Sequence, residues 1–479
     1  MYKYSKHKGI TLLGICLAIA SCKVPDALQI TENRSVPEAF DNNGNRDTTN
    51  MSAMQWRNFF TDKNLVSLID TALKNNQELQ ITLQDIGIAQ NDIRIKQGQL
   101  LPTVNARLGV GVEKVGRYTS QGAGDATTEI APGREFPDPL GDYTAAISAN
   151  WEVDIWKKLR NAKKAAITRY LSTVEGKNFV LTNLIAEVAT SYYELVAFDN
   201  QLEIVQQNIA LQKNALEIIK VQKQATRVTE LAVQKFQAEV LKSQSLEFDI
   251  LQKIKESENR INFLLGRYPT PILRDKSSFL ALMPMAVSSG VPSQLLANRP
   301  DIKQAELDLV AAKLDVKVAR AEFYPSFAIS AALGFQAFKP SYLVKFPESV
   351  LYSLAGDLAG PLINRNAIKA EFYTANARQL QAIYNYEKTI LNAYMEVSTQ
   401  LSNISNLSKS YELKSKQVAA LTKSIDISND LFKSARADYL EVLLTQRDAL
   451  ESKLELIDTK KEQLNAIVNI YKYLGGGWK

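Results

Sequence analysis

The sequence predicts a mainly α-helical chain with a β-barrel portion, arranged as an internal duplication, and three observations carry that prediction. First, Asn75–Pro102 aligns without a gap on Asn298–Pro325, with Asn75 on Asn298, Leu79 on Ile302, Ala89 on Ala312, Ile93 on Val316 and Pro102 on Pro325. Second, each of these helical segments is stopped by its proline, and the residues after that proline alternate with a two-residue period. Third, residues 154–225 and 364–434 contain no proline and carry apolar residues seven apart, the pattern of coiled coils.

At the N-terminus, Lys3, Lys6 and Lys8 precede an apolar run, Ile10–Ala20, too short to span a bilayer as a helix. Residues 1–21 have the plan of a secretory signal. The run ends Ile19-Ala20-Ser21-Cys22, which resembles a bacterial lipobox, so Cys22 is the expected lipid anchor and first residue of the mature chain. Lys23, where an acidic residue would retain the lipoprotein at the inner membrane, fits release to the outer one. Cleavage there discards His7, the only histidine, and Cys16, the only other cysteine. This excludes His- or Cys-based nucleophilic catalysis, His or Cys metal sites and structural disulfides. The expectation is no enzyme, no cofactor and no metal. Of the 57 basic residues three leave with the signal, so 54 face 51 acidic ones. With near-neutral balance and no Lys/Arg stripe interleaved with aromatics, nucleic acid is not an expected partner.

Residues 22–54 are polar and without period, a lipidated tether. The first repeat, 55–270, opens with Trp56, Phe59 and Phe60, and Leu65, Leu68, Ile69, Ala72 and Leu73 form a helical stripe. Its hairpin, about 103–151, places Val104, Ala106, Leu108, Val110 and Val112 on one face, then Tyr143, Ala145, Ile147, Ala149 and Trp151 after a Gly/Asp/Pro-rich loop. A linker, 271–297, leads to the second repeat, 298–479, whose hairpin, about 326–358, puts Phe327, Ile329, Ala331, Leu333 and Phe335 on one face. Because the alignment offset falls from 223 to 209 beyond the hairpins, the first repeat carries an insertion of about 14 residues in its loop.

Strands of about ten residues are long enough to cross a bilayer obliquely. Four strands cannot close a barrel, and lipid does not tolerate an open sheet edge. Two copies give a barrel filled by its own side chains, while three give twelve strands and begin to leave a lumen. Trp151 and Trp156, at the join between strand and helix, are candidates for an aromatic belt at the membrane interface.

In the second repeat Ile383, Ile390, Val397, Ile404, Tyr411, Val418, Ile425 and Phe432 hold the heptad, and Leu443, Leu450, Ile457, Leu464 and Tyr471 continue it on a return helix. The two turns between long and return helices define tips, with Thr226, Arg227, Val228 and Glu230 in the first and Ala435 and Ala437 in the second.

The segment VPSQLLANRPDIKQAELDLVAAKLDVKVARAEFYPSFAISAALGF, the lipobox, the WRNFF opening and the terminal YKYLGGGW together resemble the TolC-like outer-membrane efflux factors, in the lipoprotein branch typified by OprM and NodT. The resemblance implies a homotrimer with a twelve-stranded outer-membrane β-barrel continued by a long periplasmic α-helical coiled-coil barrel. It implies as partners a periplasmic adaptor, to which the tips are the expected contact, an inner-membrane efflux pump that supplies the energy, and outer-membrane lipid. Family members usually carry glycine at the position of Thr226 and Ala435; this chain does not. Glu441 stands where they often place an acidic residue facing the closed aperture, so Glu441, Asp438, Arg436 and Tyr439 are the candidate periplasmic gate. The preferred reading is a passive exit duct for small molecules or drugs; the alternatives are a duct for type I protein secretion and a lipid-anchored periplasmic coiled-coil scaffold.

Overall fold

Asp62 starts the first long element: its carboxylate accepts from the backbone N–H groups of Asn64 and Leu65 and caps α1, Lys63–Asn75. One face of α1 buries Leu65, Leu68, Ile69 and Ala72. The chain breaks at Asn76, an extended residue, and resumes as α2, Gln77–Gly98. β1, Thr103–Glu113, comes after the proline. The stretch read as a long Gly/Asp/Pro-rich loop contains α3, Ser120–Asp125, and a small antiparallel pair, β2 (Glu129–Ala131) and β3 (Arg134–Glu135). Glycine and proline there mask any period, which is why only the loop was legible. β4, Leu140–Val153, then returns, α4 runs Lys158–Gln224, and α5, Glu230–Leu264, runs back.

The second repeat has the same plan. α6, Ser293–Asn298, breaks at extended Arg299, and α7, Pro300–Ala321, begins on a proline whose missing N–H costs nothing in the first turn. β5 is Ser326–Ala337, β6 Val350–Ala359, α8 Asn366–Lys433 and α9 Tyr439–Tyr473. The connection between β1 and β4 spans residues 114–139 and that between β5 and β6 spans 338–349, so the excess of about 14 residues lies where the repeat offset put it. At ~1.5 Å per residue, α4 and α8 are each about 100 Å long.

The computed structural model describes residues 24–28, 30–40, 48–276, 279–282, 285–360, 365–434 and 436–478. The signal segment, Cys22 and Ala435 lie outside them. Two units are separable. The first holds residues 88–170 and 307–383 with the start of the tether; the second holds 32–87, 171–306 and 384–479.

In the first unit the four long strands form one antiparallel sheet in the order β1-β4-β5-β6. Between α7 and α8, Val316, Phe323 and Phe372 form a small core on which Val24 and Ala27 of the tether rest. In the second unit the tether stays extended. Its Asn33 N–H donates to Glu387 at 2.8 Å, Arg34 pairs with Glu306 at 2.9 Å, and Phe40 stacks on Tyr394. The linker is fastened by Arg274, which bonds buried Asp199 and, at 2.6 Å, Glu258.

The heptad core is complete near the middle of the long helices, where Val188, Leu195, Ile383 and Val397 are fully buried. Elsewhere a second set of heptad neighbours is exposed: Leu211 with Ile218, Leu241 with Phe248, and Tyr384 with Leu391. Apolar pairs seven apart on the outside of a helical hairpin are seams without a partner in one chain. Among the described residues no helix is long and apolar enough to cross a membrane.

Candidate functional site

Register decides what the sheet can do, because directly opposed residues of antiparallel strands share a face. Val104 opposes Ala149, which opposes Ala331, which opposes Leu354; the next rows are Ala106-Ile147-Leu333-Tyr352 and Leu108-Ala145-Phe335-Val350. Every apolar alternation therefore falls on one face. The other face carries Thr103-Asn150-Ser330-Ala355, Asn105-Ser148-Ala332-Ser353 and Arg107-Ala146-Gly334-Leu351. One side is suited to lipid, the other is polar and small.

Two of the five charges on the polar face of the strands are partnered within the chain. Asp142 accepts from Gln336 Nε2 at 2.8 Å, and Glu152 pairs with Lys158 at 2.6 Å. Asp154 caps α4 through the N–H groups of Leu159 and Arg160; these bonds and the Arg160 guanidinium outweigh burial, which acts the other way, and hold its carboxyl below the usual range. Gly334 is required by packing, since a Cβ there would meet Ala146 at 2.5 Å.

Both tryptophans that the sequence offers for an aromatic belt use their indole N–H in the fold. Trp151 Nε1 donates to the Leu100 carbonyl at 3.0 Å, and Trp156 Nε1 donates to the Pro325 carbonyl at 2.8 Å while stacking on Tyr324 at 4.7 Å. Each ring locks a helix-to-strand corner and remains partly exposed beside it. Sequence spacing showed where the tryptophans sit; the bonded carbonyls come from residues far away in the chain.

The first tip closes on Thr226, whose φ of 59° lies in the left-handed region. Thr226 N–H bonds the Lys223 carbonyl and Arg227 N–H the Gln222 carbonyl, each at 2.9 Å, which is the Schellman arrangement that glycine usually serves. Val228 tucks inward toward a cluster of Leu216, Ile219, Val233, Phe236 and Val240, joined by Phe432, Tyr439 and Leu443 of the second hairpin. Lys223 pairs with Glu230; a hydrogen bond from Gln234 and then this lysine hold the Glu230 carboxyl below its usual range.

The second tip makes the corresponding bond from Arg436 N–H to the Leu431 carbonyl at 2.9 Å. Asp438 caps α9 by accepting from Leu440 and Glu441 N–H groups at 2.5 and 3.2 Å. Arg436 and Glu441 are exposed, Ala437 is half-buried, and Tyr439 packs on the apolar cluster. Within one chain the four candidate gate residues thus divide: Asp438 and Tyr439 build the turn, and Arg436 and Glu441 present charge. The acidic signature alone did not distinguish a cap from a free carboxylate.

A family model described as outer membrane efflux protein matches residues 68–267 and 291–476. The chain belongs to that family. It is 28% identical over 473 residues to the pyoverdine export outer membrane protein OpmQ of Pseudomonas aeruginosa, covering 98% of this chain and 97% of the relative. It is 26% identical over 479 residues to the probable outer membrane lipoprotein SilC of Salmonella typhimurium, covering 98% and 97%. In structure it matches the open state of the Neisseria gonorrhoeae MtrE outer membrane channel with a TM-score of 0.81 at 22% identity, covering 95% of this chain and 98% of that one. As an outer membrane efflux protein the chain is a channel component of the outer membrane.

Proposed function

We propose that three copies close a twelve-stranded barrel and that the assembly is a passive exit duct for small molecules, fed by an inner-membrane pump through a periplasmic adaptor. The carrying observation is the register: a sheet apolar on one face and polar on the other, with two unpaired edges, is stable in lipid only when copies pair edge to edge. The exposed heptad pairs on the helices support the same need for partners outside the chain. Cys22 carries the acyl anchor, at ~0.8 kcal/mol per buried methylene. The tips, through Thr226, Arg227, Val228, Glu230, Ala435 and Ala437, receive the adaptor, and the exposed carboxylate of Glu441 with Arg436 lines the periplasmic constriction. An acidic ring at that point favours cations.

The test is transport in a strain lacking its own outer-membrane efflux channels, supplied with this chain and its cognate adaptor and pump. A fluorescent small-molecule substrate should accumulate less than in cells without the chain. Unchanged accumulation together with release of a type I secreted protein would replace the efflux reading with secretion.

A further inference from the structure

Each free edge of the sheet holds one charge near the same end. Arg107 is the only basic residue in the four long strands and lies on the edge strand β1, four positions in from Thr103. Asp357 is the only charged residue of the opposite edge strand β6, two positions in from Ala359. Both belong to the polar face, since the row of Arg107 ends on Leu351 and Asp357 lies six residues beyond it. Neither makes an ion pair among the described residues; on the same face Glu152 pairs with Lys158, Asp142 accepts from the neutral Gln336 amide, and Glu113, at the far end of β1, is the other charge with no ion pair. Small residues, Ala146 and Gly334, flank Arg107 within its own chain and offer the guanidinium no counter-charge.

We propose that Arg107 pairs with Asp357 of the partner subunit across each seam of the barrel, an inference that rests on the closed trimer proposed above. β1 and β6 are three antiparallel steps apart, so copies joined edge to edge meet antiparallel, as barrel closure requires. Aligning the two edges at their common end leaves Arg107 and Asp357 within one diagonal step, about 7–8 Å between backbones and within reach of both side chains. The pair selects this register, because a slip of one residue puts the two charges on opposite faces of the sheet. It also removes the lone cation from the lumen. The charge left on the polar face of the strands is then acidic, from Glu113 and Asp142.

Purified lipoprotein trimer carrying Arg107→Cys with Asp357→Cys provides the test, since the chain beyond Cys22 has no other cysteine. A thiol cross-linker spanning about 8 Å should yield chains linked up to trimers from the double variant and none from either single one. Charge reversal supplies an independent readout: R107E and D357R should each lower the temperature at which the trimer dissociates by several degrees, and the combined swap should restore most of the loss. A trimeric mass with no cross-linking and no rescue by the swap overturns the pairing and leaves the barrel standing. A monomeric mass overturns both.

Discussion

The two repeats meet the same structural demand with different chemistry where the return helix ends against the start of the broken helix. In the first, Gly266 turns the chain with a φ of 65° against the backbone of Asn75, and Asn76 donates to the Leu264 carbonyl at 3.0 Å while capping α2 through Leu79 N–H. In the second, Gly475 turns with a φ of 87° against the Asn298 carbonyl, and Arg299 donates to the Tyr473 carbonyl at 3.1 Å. Asn76 and Arg299 are equivalent positions in the repeat, as are Leu264 and Tyr473. One hydrogen bond has been kept while the donor changed from a neutral amide to a guanidinium. Arg299 adds two ion pairs, to Asp301 at 2.6 Å and Glu396 at 2.7 Å, and these hold it in a buried site. The joint, with its glycine, is the invariant of the duplication; the group that fastens it is not.

Removing the charged fastener should do the greatest damage. Arg299→Ala leaves Asp301, Glu396 and the Tyr473 carbonyl without their donor, at a cost of about 3 kcal/mol, the low end for a broken buried pair because Glu396 is half-exposed. A thermal midpoint measured by far-UV circular dichroism on the detergent-solubilised protein should fall correspondingly. At the neutral joint, Asn76→Ala loses one buried bond and a cap, about 1–2 kcal/mol. Equal losses at both positions would mean that the ion pairs add nothing and that the two joints are energetically the same.

The first tip extends the contrast, because there a Schellman turn is made without glycine, and the second tip adds a side-chain cap. Asp438→Ala should cost about 1 kcal/mol through the lost cap, whereas Asp438→Asn keeps an acceptor and should cost a few tenths. If both variants change ion selectivity in planar bilayers while only one changes stability, the Asp438 charge acts in the gate as well as the cap. The smallest effect has the opposite sign. Thr226→Gly relieves a left-handed β-branched residue worth about 1–2 kcal/mol, offset in part by the greater freedom of unfolded glycine. Amide exchange at Lys223 through Glu230 should slow.

Much of the fold was legible because periodicity survives duplication: the heptads, the alternating strands and the position of the inserted segment all repeat or fail to repeat at fixed offsets. The features that escaped were set by contacts distant in sequence. No local pattern distinguishes the indole of Trp156, bonded to Pro325, from an indole at a lipid interface. Similarly, Thr226 carries no sign of positive φ, since the usual signal for that conformation is the glycine it replaces. In sequence Arg107 is one polar residue between Ala106 and Leu108 of an alternating strand. Only the register, which places it on an edge and on the polar face, gives its charge a consequence.

Closure of the sheet by copies of the chain decides between a duct and a scaffold. Its most direct test is single-channel recording of the mature protein in planar bilayers, with its mass determined in the same detergent. A trimeric mass with discrete conductance steps is the predicted result. A monomeric, non-conducting protein under conditions that preserve its helicity would contradict closure, and would favour a lipid-anchored scaffold whose sheet must then find another cover for its apolar face.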